Sequence, residues 1–337
     1  LLDRDDPRVS LLKAIVQQKG RDELLAEIRS KNVELQESLD NLRRTRSDKE
    51  RMESELHIGR EIQMSMLPQV FPETGQYRVH AVLQAAREVG GDLYDVFEID
   101  PDHLCFGVGD VSGKGVPAAL FMAMAKILVR SRAASDPSPA SILTHLNEEL
   151  GRDNEQCMFL TAWFGILDVR TGEVTFANAG HNKPWIRGRD GSVTSCADIH
   201  GPVVAAAEDL VYGESRLRLS PGDQLVLYTD GVTEAQDPQE RLYTDERLEN
   251  LLRDMDAEGV KERVDTILAD VWEFQGDAMQ ADDITILALE FRGMPAGSEV
   301  HTLEVSLAGR LEEIDRCSSE FGEFAASFGG LGVEHAA

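Results

Sequence analysis

From Tyr77 onward the chain alternates short apolar runs with longer amphipathic stretches. Tyr77 to Ala85 and Leu93 to Ile99 read as strands, as do Met158 to Asp168, Glu173 to Ala177, Leu225 to Tyr228 and Ile284 to Phe291. Val116 to Ala134 has the spacing of an apolar-faced helix with Pro117 at its start, and Ser138 to Gly151 repeats that arrangement with Pro139. Asp245 to Trp272 reads as one acidic helical stretch, and Thr171-Gly172 as a turn. Strand pairs, then helices, then strands again predict α+β layers rather than a doubly wound parallel sheet.

The first 60 residues follow a different pattern. With Leu25, Asn32 and Leu39 at heptad position a, Ile28, Leu35, Leu42 and later Leu56 fall at d, and the polar Asn32 is of the kind that fixes register and oligomer state. Arg46 and Lys49 then occupy the seam, which weakens before Ile58, Ile62, Met66 and Leu67 and stops at Pro68. Two readings fit: a parallel dimeric linker, or a single solvated helix packed on its own domain.

Four aspartates stand at the ends of the apolar runs. Asp92 follows Gly90-Gly91, Asp110 ends the run Leu104 to Gly109, Asp230 precedes Gly231, and Asp282 comes just before Ile284 to Leu289. An Asp beside a Gly is by itself most often a turn residue. In combination, carboxylates beside glycines that let backbone and solvent approach are what a site for hard divalent cations requires. Were the strand after Asp282 antiparallel to those ending at Asp110 and Asp230, these three carboxylates would meet at one sheet edge.

Other chemistries fit less well. Gly107-Val-Gly109-Asp-Val-Ser-Gly113 has its third glycine one residue too late for a dinucleotide loop, and Ser112 is not in a Gly-x-Ser-x-Gly elbow. His181, in a glycine-flanked turn, reads either as a general acid or as a brace for its loop. Cys105, Cys157, Cys196 and Cys317 have no Cys-x-x-Cys spacing, which disfavours zinc and redox roles and fits a reduced cytoplasmic compartment.

The ordered segments Glu88-Val-Gly-Gly-Asp-Leu-Tyr-Asp95, Gly109-Asp-Val-Ser-Gly-Lys-Gly-Val-Pro-Ala-Ala119, Asn178-Ala-Gly-His-Asn182, Tyr228-Thr-Asp-Gly-Val232 and Asp282-Asp-Ile-Thr285 carry a resemblance. Over about residues 60 to 292 the chain resembles the SpoIIE/RsbU branch of the type 2C, or PPM, metal-dependent serine/threonine protein phosphatases. The resemblance implies a four-layer α-β-β-α sandwich of two antiparallel sheets. It also implies a centre of two Mg²⁺ or Mn²⁺ ions in which Asp110 bridges both and the Val111 carbonyl reaches one. Asp92 would serve the ion on that side and Asp230 and Asp282 the other, with Asp283 a further ligand or a support behind them. Asp110 and Asp230 would then be the residues on which catalysis chiefly depends. Eukaryotic members hold the phosphate with an arginine near the first acidic motif. Arg87 has similar spacing but no exact match, so an ordinary surface arginine is the competing reading.

The net charge of −27 sharpens the picture of partners. Residues 1–60 hold 13 basic and 13 acidic side chains, so the whole deficit lies in residues 61–337, with 21 basic against 48 acidic. A surface that acidic repels nucleic acid and anionic membrane. No apolar run is long enough to cross a bilayer. No signal peptide is apparent, and the first residue is leucine, as in a piece of a longer protein.

Three segments result: a helical coiled-coil linker over 1–58, a phosphatase domain over 59–292, and a tail over 293–337. In the tail, His301 to Leu307 alternates like a strand and Leu311 to Phe328 has helical spacing. This resembles the opening of an anti-sigma-factor type of serine kinase, truncated before any nucleotide motif. A packed C-terminal helix is the alternative. The expected function is a phosphoserine/phosphothreonine protein phosphatase of bacterial signalling, acting by resemblance on a STAS-domain antagonist of an anti-sigma factor and dimerising through its helix. The rival is a catalytically silent phosphatase-fold scaffold.

Overall fold

A computed structural model describes residues 7–72, 74–255 and 259–293. The expected kinase-like or helical tail lies outside them. Helix α1 (Pro7–Met66) runs unbroken through residue 58. Then come β1 (Tyr77–Gln84), β2 (Leu93–Asp100), β3 (His103–Val111), α2 (Val116–Ser135), α3 (Pro139–Gly151), β4 (Leu160–Asp168) and β5 (Glu173–Ala179). The chain continues through β6 (Trp185–Arg187), β7 (Val193–Ser195), β8 (Ser215–Arg218), β9 (Gln224–Tyr228), α4 (Asp230–Thr233), α5 (Asp245–Asp254), α6 (Val260–Gln275) and β10 (Ile284–Phe291).

The strands form two five-stranded sheets, in the orders β1-β10-β9-β6-β7 and β2-β3-β4-β5-β8, with every neighbouring pair antiparallel. Alternation along each strand sends one set of side chains inward, where Tyr94, Phe106, Trp163 and Phe176 meet Leu227, Leu287 and Leu289. The outer face of the β3 sheet buries Met122, Ala125 and Val129 of α2 with Leu143 and Leu146 of α3. That of the β9 sheet buries Leu248 and Leu252 of α5 with Val264, Ile267 and Val271 of α6. The layers are therefore α-β-β-α, as expected.

Helix α2 is fixed to β2 by a buried ionic group. Asp95 takes two bonds of 2.7 Å from the Arg130 guanidinium, and Lys126 Nζ lies 2.6 Å away. Asp95 is the most deeply buried member of this group, and loss of both bases would leave its charge without compensation.

Two expectations are corrected. The acidic stretch from Asp245 is two helices, because the chain turns after Asp254 and Arg187 takes the free carbonyls of Leu252 and Met255 at 3.0 and 3.1 Å. The strand after Asp282 does run antiparallel to the one ending before Asp230, but β3 lies in the other sheet. Asp110 therefore faces Asp230 and Asp282 across the sandwich instead of sharing an edge with them. Strands β6, β7 and β8, at three or four residues, are too short for period-two patterning to reveal.

Candidate active site

Strand register decides which carboxylates can meet. Leu93 pairs with Gly109, so the residue entering β2 (Asp92) and one near the exit of β3 (Asp110) come to the same end of their sheet. Tyr228 pairs with Ile286, which likewise brings Asp230, just beyond β9, and Asp282, just before β10, to one end of the other sheet. Hydroxyls join the two ends. Thr229 and Thr285 donate to Asp92 Oδ2 at 2.7 and 2.6 Å, so side chains of one sheet hold the carboxylate of the other.

Asp92 is buried, and its carboxyl is pushed well above the usual carboxylate range by that burial and by the nearby charges of Asp110 and Asp283. Asp110 rises to about 7, first through burial and then through Asp230 and Asp282, although a hydrogen bond with Asp92 opposes the shift. Asp230 is raised by burial, Glu234 and Asp282, with Lys114 acting against the rise. Such displacement is expected where carboxylates are crowded with little positive charge among them.

Asp283 has another occupation. Its oxygens accept the backbone N–H groups of Ala86 at 2.8 Å, Gly91 at 2.8 Å and Asp92 at 3.5 Å, which folds the loop 85–92 around it. A side chain at Gly90 would run into this carboxylate, and one at Gly231 into the Asp283 carbonyl. These two glycines are needed for close approach of backbone. Gly91 faces the Val111 carbonyl, which brings that oxygen to the same loop. Arg87 stands exposed on it.

Four further residues lie at the site that were not singled out by sequence. Gln63, near the end of α1, clasps Gly90 by donating to its carbonyl at 2.7 Å and accepting its N–H at 3.2 Å. Lys114 Nζ lies 2.8 Å from Asp282 Oδ2 and donates to the Ala281 carbonyl at 2.6 Å. Thr229 and Thr285 are polar positions within otherwise apolar buried segments, and a buried hydroxyl needs a partner. That was the available signal for the two threonines. Gln63 and Lys114 look like ordinary surface residues in sequence.

His181 turns out to be a brace. Its Nδ1 lies 2.8 Å from Thr161 Oγ1, and its Nε2 lies 3.1 Å from the Tyr228 carbonyl, which accepts the proton on Nε2. Burial drops its pKa to about 4, so the ring is neutral. Thr161 pairs with Asp110 across β3 and β4, so the imidazole links β4, the neighbour of the strand bearing Asp110, to the strand leading to Asp230.

Among the described residues no three carboxylate, imidazole or thiol groups are gathered so as to hold a metal ion by themselves. Asp92 is held by hydroxyls and Asp282 by Lys114. A closed cage is not what Mg²⁺ demands, since it keeps several waters and takes one or two carboxylates. The all-oxygen donors and their unbalanced negative charge fit such an ion.

A two-sheet sandwich flanked by helices, with aspartates at the facing strand ends, is the architecture of a type 2C-like phosphatase domain. Residues 100–292 match the family described as Stage II sporulation protein E (SpoIIE), and the chain belongs to that family. It is 29% identical over 263 residues to Protein IcfG of Synechocystis, covering 70% of this chain and 41% of that protein. It is 27% identical over 244 residues to phosphoserine phosphatase RsbU of Bacillus subtilis, covering 72% of each. Among solved structures it is similar to the SiaA-PP2C domain of Pseudomonas aeruginosa, with a TM-score of 0.61 and 25% identity, covering 72% of this chain and 98% of that one.

Proposed function

We propose that the chain is a Mg²⁺- or Mn²⁺-dependent protein phosphatase that removes phosphate from serine or threonine of a partner protein in bacterial signalling. The observation that carries this reading is the set of aspartates at facing sheet ends, with Asp92, Asp110 and Asp230 all pushed up in pKa by burial and mutual repulsion. Asp92, Asp110, Asp230, Asp282 and the Val111 carbonyl would hold two ions, with Asp283 supporting them from behind. When bound, two such ions lower the pKa of a water and offset charge on the phosphoryl oxygens. The chain's own part is positioning: Thr229 and Thr285 orient Asp92, and His181 spaces the two sheets.

The similarity to a phosphoserine phosphatase supports a phosphoserine substrate. The acidic surface disfavours nucleic acid, and a STAS-domain phosphoprotein is the substrate we favour. Among the described residues no helix is long and apolar enough to cross a membrane. The cytoplasmic location we favour rests on cysteines without Cys-x-x-Cys spacing.

We further propose a homodimer through α1. Leu25, Ile28, Leu35, Leu39 and Leu42 are all between 43% and 66% exposed, a continuous seam that one helix alone leaves in water.

The deciding experiment is incubation with a phosphoserine-bearing STAS-domain protein, with and without Mn²⁺. Release of phosphate that needs the metal and stops with EDTA is expected. No metal-dependent release from any of a panel of phosphoproteins would defeat the assignment and leave the silent scaffold.

A further inference from the structure

We propose that Lys114 is the residue that grips the phosphoryl group of the substrate, and that its ion pair with Asp282 is its resting position. The inference rests on the phosphatase reading above.

Charge balance calls for such a residue. Four ligand carboxylates carry four negative charges, which two divalent ions neutralise. A phosphate monoester then adds about −1.5 to −2 near neutral pH. A basic side chain able to reach that position has to come from the rim of the acidic cluster. Lys114 is there already: it pairs with Asp282 at 2.8 Å, and its charge acts on Asp230 as well.

The loop is built to let it move. Lys114 stands between Gly113 and Gly115, with φ of 87° and 82°, and neither glycine has another atom within 4 Å of where a Cβ would sit. Both are in the left-handed region that side chains disfavour, and a Cβ at either would meet open space, so no packed neighbour sits against the two glycines. The side chains of Lys114 and Asp282 are 33% and 39% exposed, open to an incoming phosphate. The loop's two ends are anchored. Ser112 exchanges bonds with the backbone of Phe159, and Val116 begins α2, whose first-turn proline presets the helix. Between them, the Gly-Lys-Gly tip is tied by the Gly115 carbonyl, which accepts from Ala119, and by the contacts of Lys114 Nζ with Asp282 and the Ala281 carbonyl.

The resting contact sets Lys114 against a metal ion, because an ammonium on Asp282 competes with a cation for the same oxygens. Were Asp282 to hold an ion, Nζ would be released at the rim of the cluster, where it could meet an anionic ester. Lysine serves well as such a point charge, which needs no bidentate geometry.

This gives effects of opposite sign, which a merely structural residue would not produce. In Lys114→Met, Mn²⁺ measured by calorimetry should bind several-fold more tightly, since its competitor is gone. KM for a phosphoserine peptide, and the inhibition constant of inorganic phosphate, should rise about tenfold or more. Lys114→Arg should restore phosphate affinity. Weaker Mn²⁺ binding in Lys114→Met, or unchanged KM and phosphate inhibition while the parent protein turns over, would overturn the role of Lys114 and leave the phosphatase reading intact. A parent protein with no metal-dependent turnover would overturn both.

Discussion

Asp92 and Asp282 enter the same acidic centre from opposite sheets, and they are held in different ways. Asp92 is 1% exposed and takes two hydroxyl hydrogen bonds from the facing sheet, while the loop before it is folded over Asp283 and clasped by Gln63. Asp282 lies at the rim, part exposed, and is met by a lysine on a glycine-hinged loop. One half of the centre is therefore preorganised, with its geometry fixed by neutral donors that need not leave. The other half is occupied by a cation that must. The difference suggests that catalytic precision resides in the deep half and exchange with ions and substrate in the outer half.

The strongest way to break this picture is to remove one charge from each half. Asp110→Asn should lower metal-dependent turnover by at least ~10²-fold, and Asp230→Asn should do the same. Because Asp110 is crowded by like charges, its replacement should also raise the melting temperature of the metal-free protein by a few degrees, roughly what 1 kcal/mol is worth in a domain of this size. Mn²⁺ should then stabilise the variant less than the parent. Parental turnover in both variants would remove the aspartates from the chemistry.

Next in size is a pH effect. Asp110 holds its proton up to about pH 7 in the folded protein, whereas an unfolded aspartate releases it near 4. In that window the folded state binds more protons, so the stability of the metal-free protein falls as pH rises through it. Asp92 and Asp230 are shifted in the same direction. Thermal melts should show the metal-free protein more stable at pH 5 than at pH 8, with Mn²⁺ narrowing the gap. A metal-free protein that gains stability from pH 5 to 8 would contradict the crowding.

A smaller effect separates the halves. Gln63→Ala removes both bonds to Gly90, each worth about 1 kcal/mol, and should weaken Mn²⁺ binding and turnover by up to about tenfold without altering phosphate inhibition. Equal losses in metal affinity and phosphate affinity would mean that the halves are not distinct.

The smallest expected change tests whether α1 communicates with the deep half. The end of α1 forms an apolar groove with α2, where Met52, Leu56 and Ile62 face Val89 and Leu120. Replacing Leu35, Leu39 and Leu42 with lysine should halve the mass seen by light scattering. A severalfold drop in Mn²⁺ affinity should follow if dimer geometry reaches Gly90 through Gln63. A monomer with parental affinity and rate would make the helix a passive tether.

Much of this was legible in the chain. Period-two runs and proline-started apolar helices marked most of the longer elements, because burial on one face leaves a direct imprint on sequence. The glycines around Asp92, Asp110 and Asp230 marked close backbone approach. What sequence alone could not determine was partnership. Which sheet β3 joins depends on long-range pairing, and Thr229 and Thr285 became hydrogen-bond donors to Asp92 only when two sheets packed face to face. Lys114 and Gln63 are ordinary polar residues until folding brings Asp282, 168 positions away, and Gly90, 27 positions away, to their tips. Local patterns record what each segment buries, whereas the centre is made of contacts between segments distant in sequence, whose geometry exists only once the whole sandwich has closed.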